Sequence, residues 1–97
     1  MKKLDEIKQI LTEYKPIIQK HYKVSELGIF GSYIRGEQTE NSDIDILVEF
    51  SETPTLFDLV GLEDDLSDRL GIKTDLVHKK GLKPHIGEFI LSEVIYL

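Results

Sequence analysis

Two aspartates separated by a single residue, Asp43 and Asp45, are the side chains of this chain best suited to hold a metal ion. They stand at the start of residues 44–50, where apolar residues alternate as in a β-strand. Side chains at i and i+2 of a strand face the same side, so the two carboxylates would project together. At a separation of about 4 Å they would repel by about 1 kcal/mol in water and about 4 kcal/mol at an effective dielectric of 20. A hard divalent cation such as Mg²⁺ or Mn²⁺ reverses the sign of that energy, because it prefers oxygen ligands.

A third acid, Asp75, lies in a later short apolar stretch, residues 72–78. If strands 44–50 and 72–78 are neighbours, Asp75 completes a set of three carboxylates. Such a set can hold two metal ions about 3.5–4 Å apart, which stabilises the attacking and leaving oxygens of a phosphoryl-type displacement. The alternative is that Ser42-Asp43 forms a turn and cap, with Asp75 a solvated acid at a strand end. An Asp-x-Asp pair alone favours that alternative, whereas its combination with Asp75 and an upstream Gly-Ser turn favours the metal site.

The Gly-Ser turn, Gly31-Ser32, follows an apolar strand over residues 24–30. Glycine permits positive φ and close backbone approach, and serine presents both a hydroxyl and an amide. If residues 32–35 begin a short helix, its free amides point at an anion above Gly31. This arrangement suits the β- and γ-phosphates of a nucleoside triphosphate. An ordinary strand-to-helix turn with a serine cap is the alternative.

The charge of Arg35 has two interpretations. It can add to the binding of the phosphates, or it can pair with Glu37 or Glu40 at the surface. Surface pairs of this kind are common and weak, so the sequence leaves both interpretations open.

Composition limits the class of protein. With 97 residues the chain is expected to form one small domain over 1–97. Apolar residues at 40% and charged residues at 31% fit a soluble globular protein. The chain has no cysteine, which excludes disulfides and thiolate metal sites. No apolar run approaches the ~20 residues that span a bilayer, so we expect no membrane partner and a cytoplasmic location.

The net charge of −6 bears on possible partners. Nucleic-acid binders present a basic stripe to phosphate, and no such stripe is visible here. Nucleic acid is therefore disfavoured as a tightly held ligand. A negative surface attracts divalent cations or a basic protein instead.

Hydrophobic periodicity predicts the elements that must position these residues. They are, in order, a helix with an apolar stripe from Leu4 to Ile18, a strand over 24–30, a short helix from residue 32, a strand over 44–50, a helix capped by Thr55 and ended by Gly71, a strand over 72–78, a helix opening at Pro84, and an edge strand over 94–97. Pro16 removes an amide donor, so a kink or break is expected near residues 13–15. The predicted class is α/β (α+β), a small mixed sheet with helices packed mainly on one face.

The run Gly31-Ser32-x-x-Arg35-Gly36, then Ser42-Asp43-x-Asp45, then Asp75 resembles the minimal nucleotidyltransferases (MNT proteins) of the DNA polymerase β-like superfamily. The likeness covers nearly the whole chain, although Ile34 replaces a small residue common at that position. It implies the polymerase β-like fold. It also implies transfer of a nucleoside monophosphate from a triphosphate with release of pyrophosphate, dependent on two Mg²⁺ ions or on Mn²⁺. We expect ATP as the substrate and AMP as the group transferred, although the sequence does not disclose which nucleotide is preferred.

The resemblance also implies roles for single residues. Asp43 and Asp45 would bind both metals and the triphosphate, and Asp75 would hold the metal that activates the attacking hydroxyl. Gly31 and Ser32 would grip the pyrophosphate. Arg35 and Ser42 complete the expected nucleotide-binding set.

The family further implies a partner. Many of its members are antitoxins paired with a HEPN-type ribonuclease toxin, and some attach AMP to a tyrosine of that toxin. Two alternatives stay open: an antitoxin that neutralises its toxin by binding alone, and a nucleotidyltransferase acting on a small molecule such as an aminoglycoside.

Overall fold

The computed structural model describes residues 2–97, in which helices and strands alternate. The elements are α1 (Leu4–Tyr22), β1 (Val24–Phe30), α2 (Ser32–Arg35), β2 (Ile44–Phe50), α3 (Leu56–Leu70), β3 (Thr74–His78), a 3₁₀ turn (Lys79–Gly81), α4 (Pro84–Glu93) and β4 (Ile95–Tyr96). Every helix and strand expected from the sequence is therefore present, with boundaries within about two residues except in α1, which continues past the expected stripe to Tyr22.

The four strands form one mixed sheet in the order β3-β2-β1-β4. Strand β1 pairs antiparallel with β2 and with β4, whereas β2 and β3 run parallel. The predicted fold class, a small mixed sheet with helices, is confirmed. Strands 44–50 and 72–78 are neighbours, as the three-carboxylate hypothesis requires.

The main core lies between one face of the sheet and helices α1 and α3. Strand β2 contributes Ile44, Ile46 and Val48, each fully buried. The helices contribute residues at spacings of three, four and seven: Ile7, Leu11, Tyr14 and Ile18 from α1, and Leu62, Leu66 and Leu70 from α3. These spacings place each set on one helical stripe, which explains why the two helices lie side by side on the sheet.

A smaller core covers the opposite face of the sheet. Phe30, Leu47 and Ile90 form it, with Val77, Leu82 and Val94 packed against them. Leu47 shares its strand face with Asp45, and α4 shields the leucine while the aspartate remains near the end of the sheet. Helices α1 and α3 therefore pack on one face of the sheet and α4 on the other, consistent with helices mainly on one face.

Helix α1 continues through Pro16 from Leu4 to Tyr22, so the expected break does not occur. Buried residues on both sides of the proline, Leu11 and Ile18, anchor the two halves of the helix to the same core. Their packing outweighs the loss of one backbone hydrogen bond. The ends of α3 match expectation, with a Thr55–Asp58 capping box and Gly71 in the left-handed conformation.

Several large apolar side chains stay outside both cores. On α3 these are Leu56, Phe57 and Val60, with Phe57 89% exposed, and on α4 they include Ile86 and Phe89, with Phe89 60% exposed. Within residues 2–97, no helix combines the length and apolar character needed to cross a bilayer. The exposed side chains form apolar patches on two helices.

Replacing Ile46 by alanine should lower the free energy of unfolding by about 2–5 kcal/mol, because it empties a fully buried position in the central part of the sheet. The matched change Ile86→Ala removes the same atoms from an exposed position on α4 and should alter stability by no more than about 0.5 kcal/mol. Urea unfolding of both variants measures the difference. Equal losses would contradict the assignment of the core.

Candidate active site

One end of the sheet gathers the residues singled out by the sequence. Strand β1 ends there, and β2 begins beside it because the two strands are antiparallel. Strand β3 also begins there because it runs parallel to β2. The Gly31 turn and the three aspartates therefore reach the same edge from three separate parts of the chain.

Asp45 and Asp75 are direct partners in the register of β2 and β3. Partners in a parallel ladder face the same side of the sheet, so these two carboxylates are neighbours. Asp43 lies one residue before β2, with its side chain 44% exposed and one oxygen 4.0 Å from the Lys73 ammonium. The structure thus brings Asp45 and Asp75 together, with Asp43 at the rim.

Electrostatics show that the acids act on one another. The pKa of Asp45 is raised to about 6, first by burial and then by the negative charges of Asp75 and Asp43. Arg35 opposes this rise and Glu93 adds to it. A bound cation would relieve the same repulsion.

The donor set suits a hard cation. Asp43, Asp45 and Asp75 offer only carboxylate oxygens, the ligands that Mg²⁺ and Mn²⁺ prefer, and their repulsion is what a divalent charge offsets. As the side chains stand in residues 2–97, no three His, Cys, Asp or Glu residues are grouped closely enough to enclose an ion. The chemistry of the donors fits a metal, and ligation would require the side chains to draw together.

Gly31 occupies a conformation that other residues avoid, with φ 82° and ψ −153°. A Cβ built on it would overlap Oδ2 of Asp45. The close approach expected of this glycine is thus made by a carboxylate of the same chain. Its carbonyl accepts hydrogen bonds from the amides of Ile34 and Arg35, at 3.0 and 3.2 Å, which closes the turn into α2.

Arg35 forms ion pairs with two glutamates. Its Nε donates to Glu37 at 2.5 Å, and its Nη1 donates to both carboxylate oxygens of Glu93, at 2.9 and 3.0 Å. Pairing with Glu37 was one of the two interpretations of this residue. Because Arg35 also lowers the pKa of Asp45, its charge acts within the carboxylate site as well.

Sequence reasoning missed Glu93. It is the last residue of α4, its side chain is only 14% exposed, and its Oε1 accepts the Gly31 amide at 2.9 Å. The sequence holds one signal, since a carboxylate at the end of a helix opposes the helix dipole and so suggests a specific partner elsewhere. The identity of that partner depends on tertiary structure.

Ser42 and Ser32 occupy different settings. Ser42 Oγ accepts the Thr39 amide at 2.8 Å, and the Ser42 amide donates to the Thr39 carbonyl at 3.1 Å. These bonds close the loop that leads into β2. Ser32 opens α2 directly beside Gly31. A phosphate contact by either serine stays a prediction.

A cavity of about 620 Å³ adjoins the site on the side of Asp43. Its lining includes Tyr33, Asn41, Ser42, Asp43 and Lys73. This volume lies within the range of small-molecule sites, and the mixture of polar groups can orient a ligand. The carboxylates thus border a space large enough for a nucleotide-sized molecule.

Comparison with known proteins shows the family of this chain. A family model described as a nucleotidyltransferase domain matches residues 5–97. The chain belongs to that family. This nucleotidyltransferase is 55% identical over 98 residues to a protein adenylyltransferase homologue of Methanocaldococcus jannaschii, covering 100% of both chains. It is 47% identical over 94 residues to the protein adenylyltransferase MntA of Thermococcus cleftensis, covering 97% of this chain and 95% of that protein.

A solved structure shares the fold of this nucleotidyltransferase. It belongs to a toxin–antitoxin assembly with AMP-PNP, with a TM-score of 0.70 and 26% identity. The match covers 95% of this chain and 69% of the other. Fold and family are therefore established, and the resemblance to minimal nucleotidyltransferases seen in the sequence motifs is confirmed.

Asp45→Asn should stabilise the protein more at pH 7 than at pH 4. The pKa of Asp45 is higher in the folded state, about 6, than its ordinary value of 3.8, so its contribution to stability falls as pH rises through this window. Asparagine removes that penalty. Allowing for solvent screening of a half-exposed group, we expect a gain on the order of 1 kcal/mol at pH 7 relative to pH 4.

Urea unfolding at both pH values measures this gain. Asp64→Asn, at an exposed position of α3, controls for the change in net charge. A pH-independent effect of Asp45→Asn would show that repulsion and burial do not act on this carboxylate as described.

Gly31→Ala should damage the site more than Gly36→Ala. Both glycines have positive φ, but a Cβ on Gly36 meets nothing within 4 Å, whereas one on Gly31 strikes the Asp45 carboxylate. Gly36→Ala should cost about 1 kcal/mol of strain, and Gly31→Ala about 1–3 kcal/mol plus displacement of Asp45. Thermal unfolding and transferase assays of both variants test the ranking, which similar losses in the two would refute.

Proposed function

We propose that this nucleotidyltransferase transfers AMP from ATP to a tyrosine hydroxyl of a HEPN-type toxin and so acts as its antitoxin. The observation that carries the proposal is the pairing of Asp45 with Asp75 beside the Gly31-Ser32 turn. Support comes from the adenylyltransferase relatives and from the related toxin–antitoxin structure with AMP-PNP.

Asp43, Asp45 and Asp75 would hold Mg²⁺, as two ions, or Mn²⁺. When bound, the metal would neutralise the charge of the triphosphate and lower the pKa of the attacking hydroxyl. Ser32 would donate its amide and hydroxyl to the departing phosphates, and Arg35 would add positive charge near them. Gly31, lacking a side chain, leaves room for the Asp45 carboxylate behind the turn.

The proposed reaction is a displacement at the α-phosphorus of ATP. The acceptor oxygen forms a bond to that phosphorus, the bond from phosphorus to the α–β bridging oxygen breaks, and pyrophosphate leaves. The hydroxyl proton passes to solvent. Asp75 is exposed and lies on an edge strand of the sheet, so a hydroxyl carried by another protein can approach it from outside. Catalysis then rests on positioning and charge stabilisation.

A protein acceptor is favoured by the surface beside the site. Phe89 and Ile86 project from α4 with 60% and 57% exposure, and the Phe89 ring centre lies 6.0 Å from Cζ of Arg35. Exposed apolar side chains of this size are suited to contact with a polypeptide. A small aminoglycoside would make little use of them.

Neutralisation by binding alone is the second candidate. The apolar patch Leu56, Phe57 and Val60 on α3 could contact a toxin without involving the carboxylates. The net charge of −6 complements a basic ribonuclease. Under this alternative the toxin is occluded and never modified.

The decisive test is incubation with labelled ATP, Mg²⁺ and a HEPN-type protein encoded beside this chain, followed by intact mass spectrometry. We expect the partner to gain the mass of AMP. Asp43→Asn/Asp45→Asn should reduce the rate on the order of 10²-fold or more, because charge stabilisation is lost. Asp64→Asn, an exposed acid on α3, should leave it unchanged.

Two results would count against transfer to the partner. Suppression of the toxin without any mass gain would favour binding alone. Equal transfer by the double variant and by Asp64→Asn would remove the carboxylates from the mechanism. Replacing Mg²⁺ by EDTA should stop transfer by the wild type.

A further inference from the structure

The Glu93 carboxylate contacts both ends of the segment Gly31–Arg35. Its Oε1 accepts the Gly31 amide at 2.9 Å and Arg35 Nη1 at 2.9 Å, and its Oε2 lies 3.0 Å from the same nitrogen. A residue from the end of α4 thus fixes a turn and helix that lie about sixty positions earlier, as the sequence separations of 62 and 58 show. Ser32 lies inside the segment held in this way.

The position of Glu93 in α4 does not itself favour a carboxylate. The carboxyl end of a helix carries partial negative charge, which favours cations, and the last turn of α4 contains no basic residue. The side chain is 14% exposed, so water screens it poorly. Its stabilising partners are therefore Arg35 and the Gly31 amide.

Glu37 makes a useful contrast. It also pairs with Arg35, but its side chain is 62% exposed and it reaches only the Arg35 end of the segment. An exposed pair of this kind contributes little. Among the described residues, Glu93 is the side chain whose hydrogen bonds join both ends.

We propose that Glu93 is a positioning residue for nucleotide binding. It holds Gly31–Arg35 against α4, so that Ser32 faces the phosphates and the Arg35 guanidinium stays near Asp45. The inference rests on the proposed function, because it assigns Ser32 and Arg35 to the nucleotide. Glu93 itself touches neither the nucleotide nor the acceptor.

Two substitutions at Glu93 distinguish a positioning role from a purely electrostatic one, because one keeps the length of the side chain and the other keeps its charge. Glu93→Gln keeps the length and an Oε1 that can accept from both Gly31 and Arg35. Glu93→Asp keeps the charge but is shorter by one methylene and cannot reach both groups together. Positioning therefore predicts that Gln is tolerated better than Asp, whereas a purely electrostatic role predicts the reverse.

The experiment measures binding of the Mg²⁺ complex of α,β-methylene-ATP by calorimetry, together with kcat and KM for ATP in transfer to the HEPN-type protein. Glu93→Ala and Glu93→Asp should raise Kd and KM by about 10- to 100-fold, as is typical when a supporting contact of a site is lost. Glu93→Gln should keep both Kd and KM within about 5-fold of the wild-type values, against the 10- to 100-fold typical of a lost supporting contact. Glu88→Ala, an exposed glutamate on the same helix, should match the wild type.

A double-variant cycle measures the coupling between Glu93 and Arg35 in nucleotide binding, which a general loss of stability would not change. If Glu93 acts through Arg35, Glu93→Ala should weaken nucleotide binding less in an Arg35→Ala background than in the wild type. Additive effects of the two substitutions on the free energy of nucleotide binding would overturn the proposal that Glu93 acts through Arg35.

Each outcome bears on one claim. Wild-type protein that neither binds the analogue nor transfers AMP would refute the proposed function itself. Active wild type with Asp tolerated as well as or better than Gln at position 93 would overturn only the positioning role. The Gln and Asp variants carry this comparison even if Glu93→Ala fails to fold.

Discussion

The register of two parallel strands imposes the repulsion on which the rest of the site depends. Pairing β2 with β3 sets Asp45 directly beside Asp75, and the partial burial of Asp45 limits the screening of its charge by water. The register cannot easily slip to avoid this, because a shift of one residue would turn Ile44, Ile46 and their neighbours out of the core. The packing of α1 and α3 on the sheet therefore maintains an unfavourable arrangement of charge at its end. A cation that binds there would offset the repulsion between the carboxylates, and a triphosphate could then bind to that cation.

The surroundings of the acids show how the fold accommodates that repulsion. Arg35 supplies positive charge next to Asp45, yet it is held by Glu93, which adds negative charge of its own. The same glutamate that orients Arg35 therefore also adds to the repulsion that Asp45 experiences. Gly31 permits the carboxylate of Asp45 to lie against the backbone turn. Turn, arginine and acids form one connected unit, so a change in any of them should alter the others.

Those features of the fold and site that depend on local pattern could be predicted from the sequence. Alternation placed Asp45 on the strand face opposite Ile44 and Ile46, and the periodic apolar stripes of α1 and α3 indicated helices that pack on the sheet. Asp75 could be assigned to the site only on the assumption that its strand was a neighbour of β2, which the structure bears out. Leu47 follows the same alternation, but its burial depends on α4 (Pro84–Glu93), a helix distant in sequence that no local pattern connects to it.

Other features lay beyond sequence reasoning for identifiable reasons. The rule that proline breaks a helix was wrong at Pro16, because burial of Leu11 and Ile18 outweighs one lost hydrogen bond. Glu93 could not be found because its partners, Gly31 and Arg35, are distant in sequence and meet it only when α4 closes over the sheet. Spacing predicts which residues share an element, whereas contacts between elements depend on the whole fold.

The most direct test of the central claim is paramagnetic broadening of backbone amide resonances by Mn²⁺ in the presence of α,β-methylene-ATP. If the three aspartates and the Gly31 turn form a single metal–nucleotide site, the signals of residues 31–33, 43–45 and 74–76 should broaden together at substoichiometric Mn²⁺. Those at the far end of α1, around His21, should stay sharp. Broadening centred elsewhere, or confined to scattered surface acids such as Asp64 and Asp68, would contradict the account.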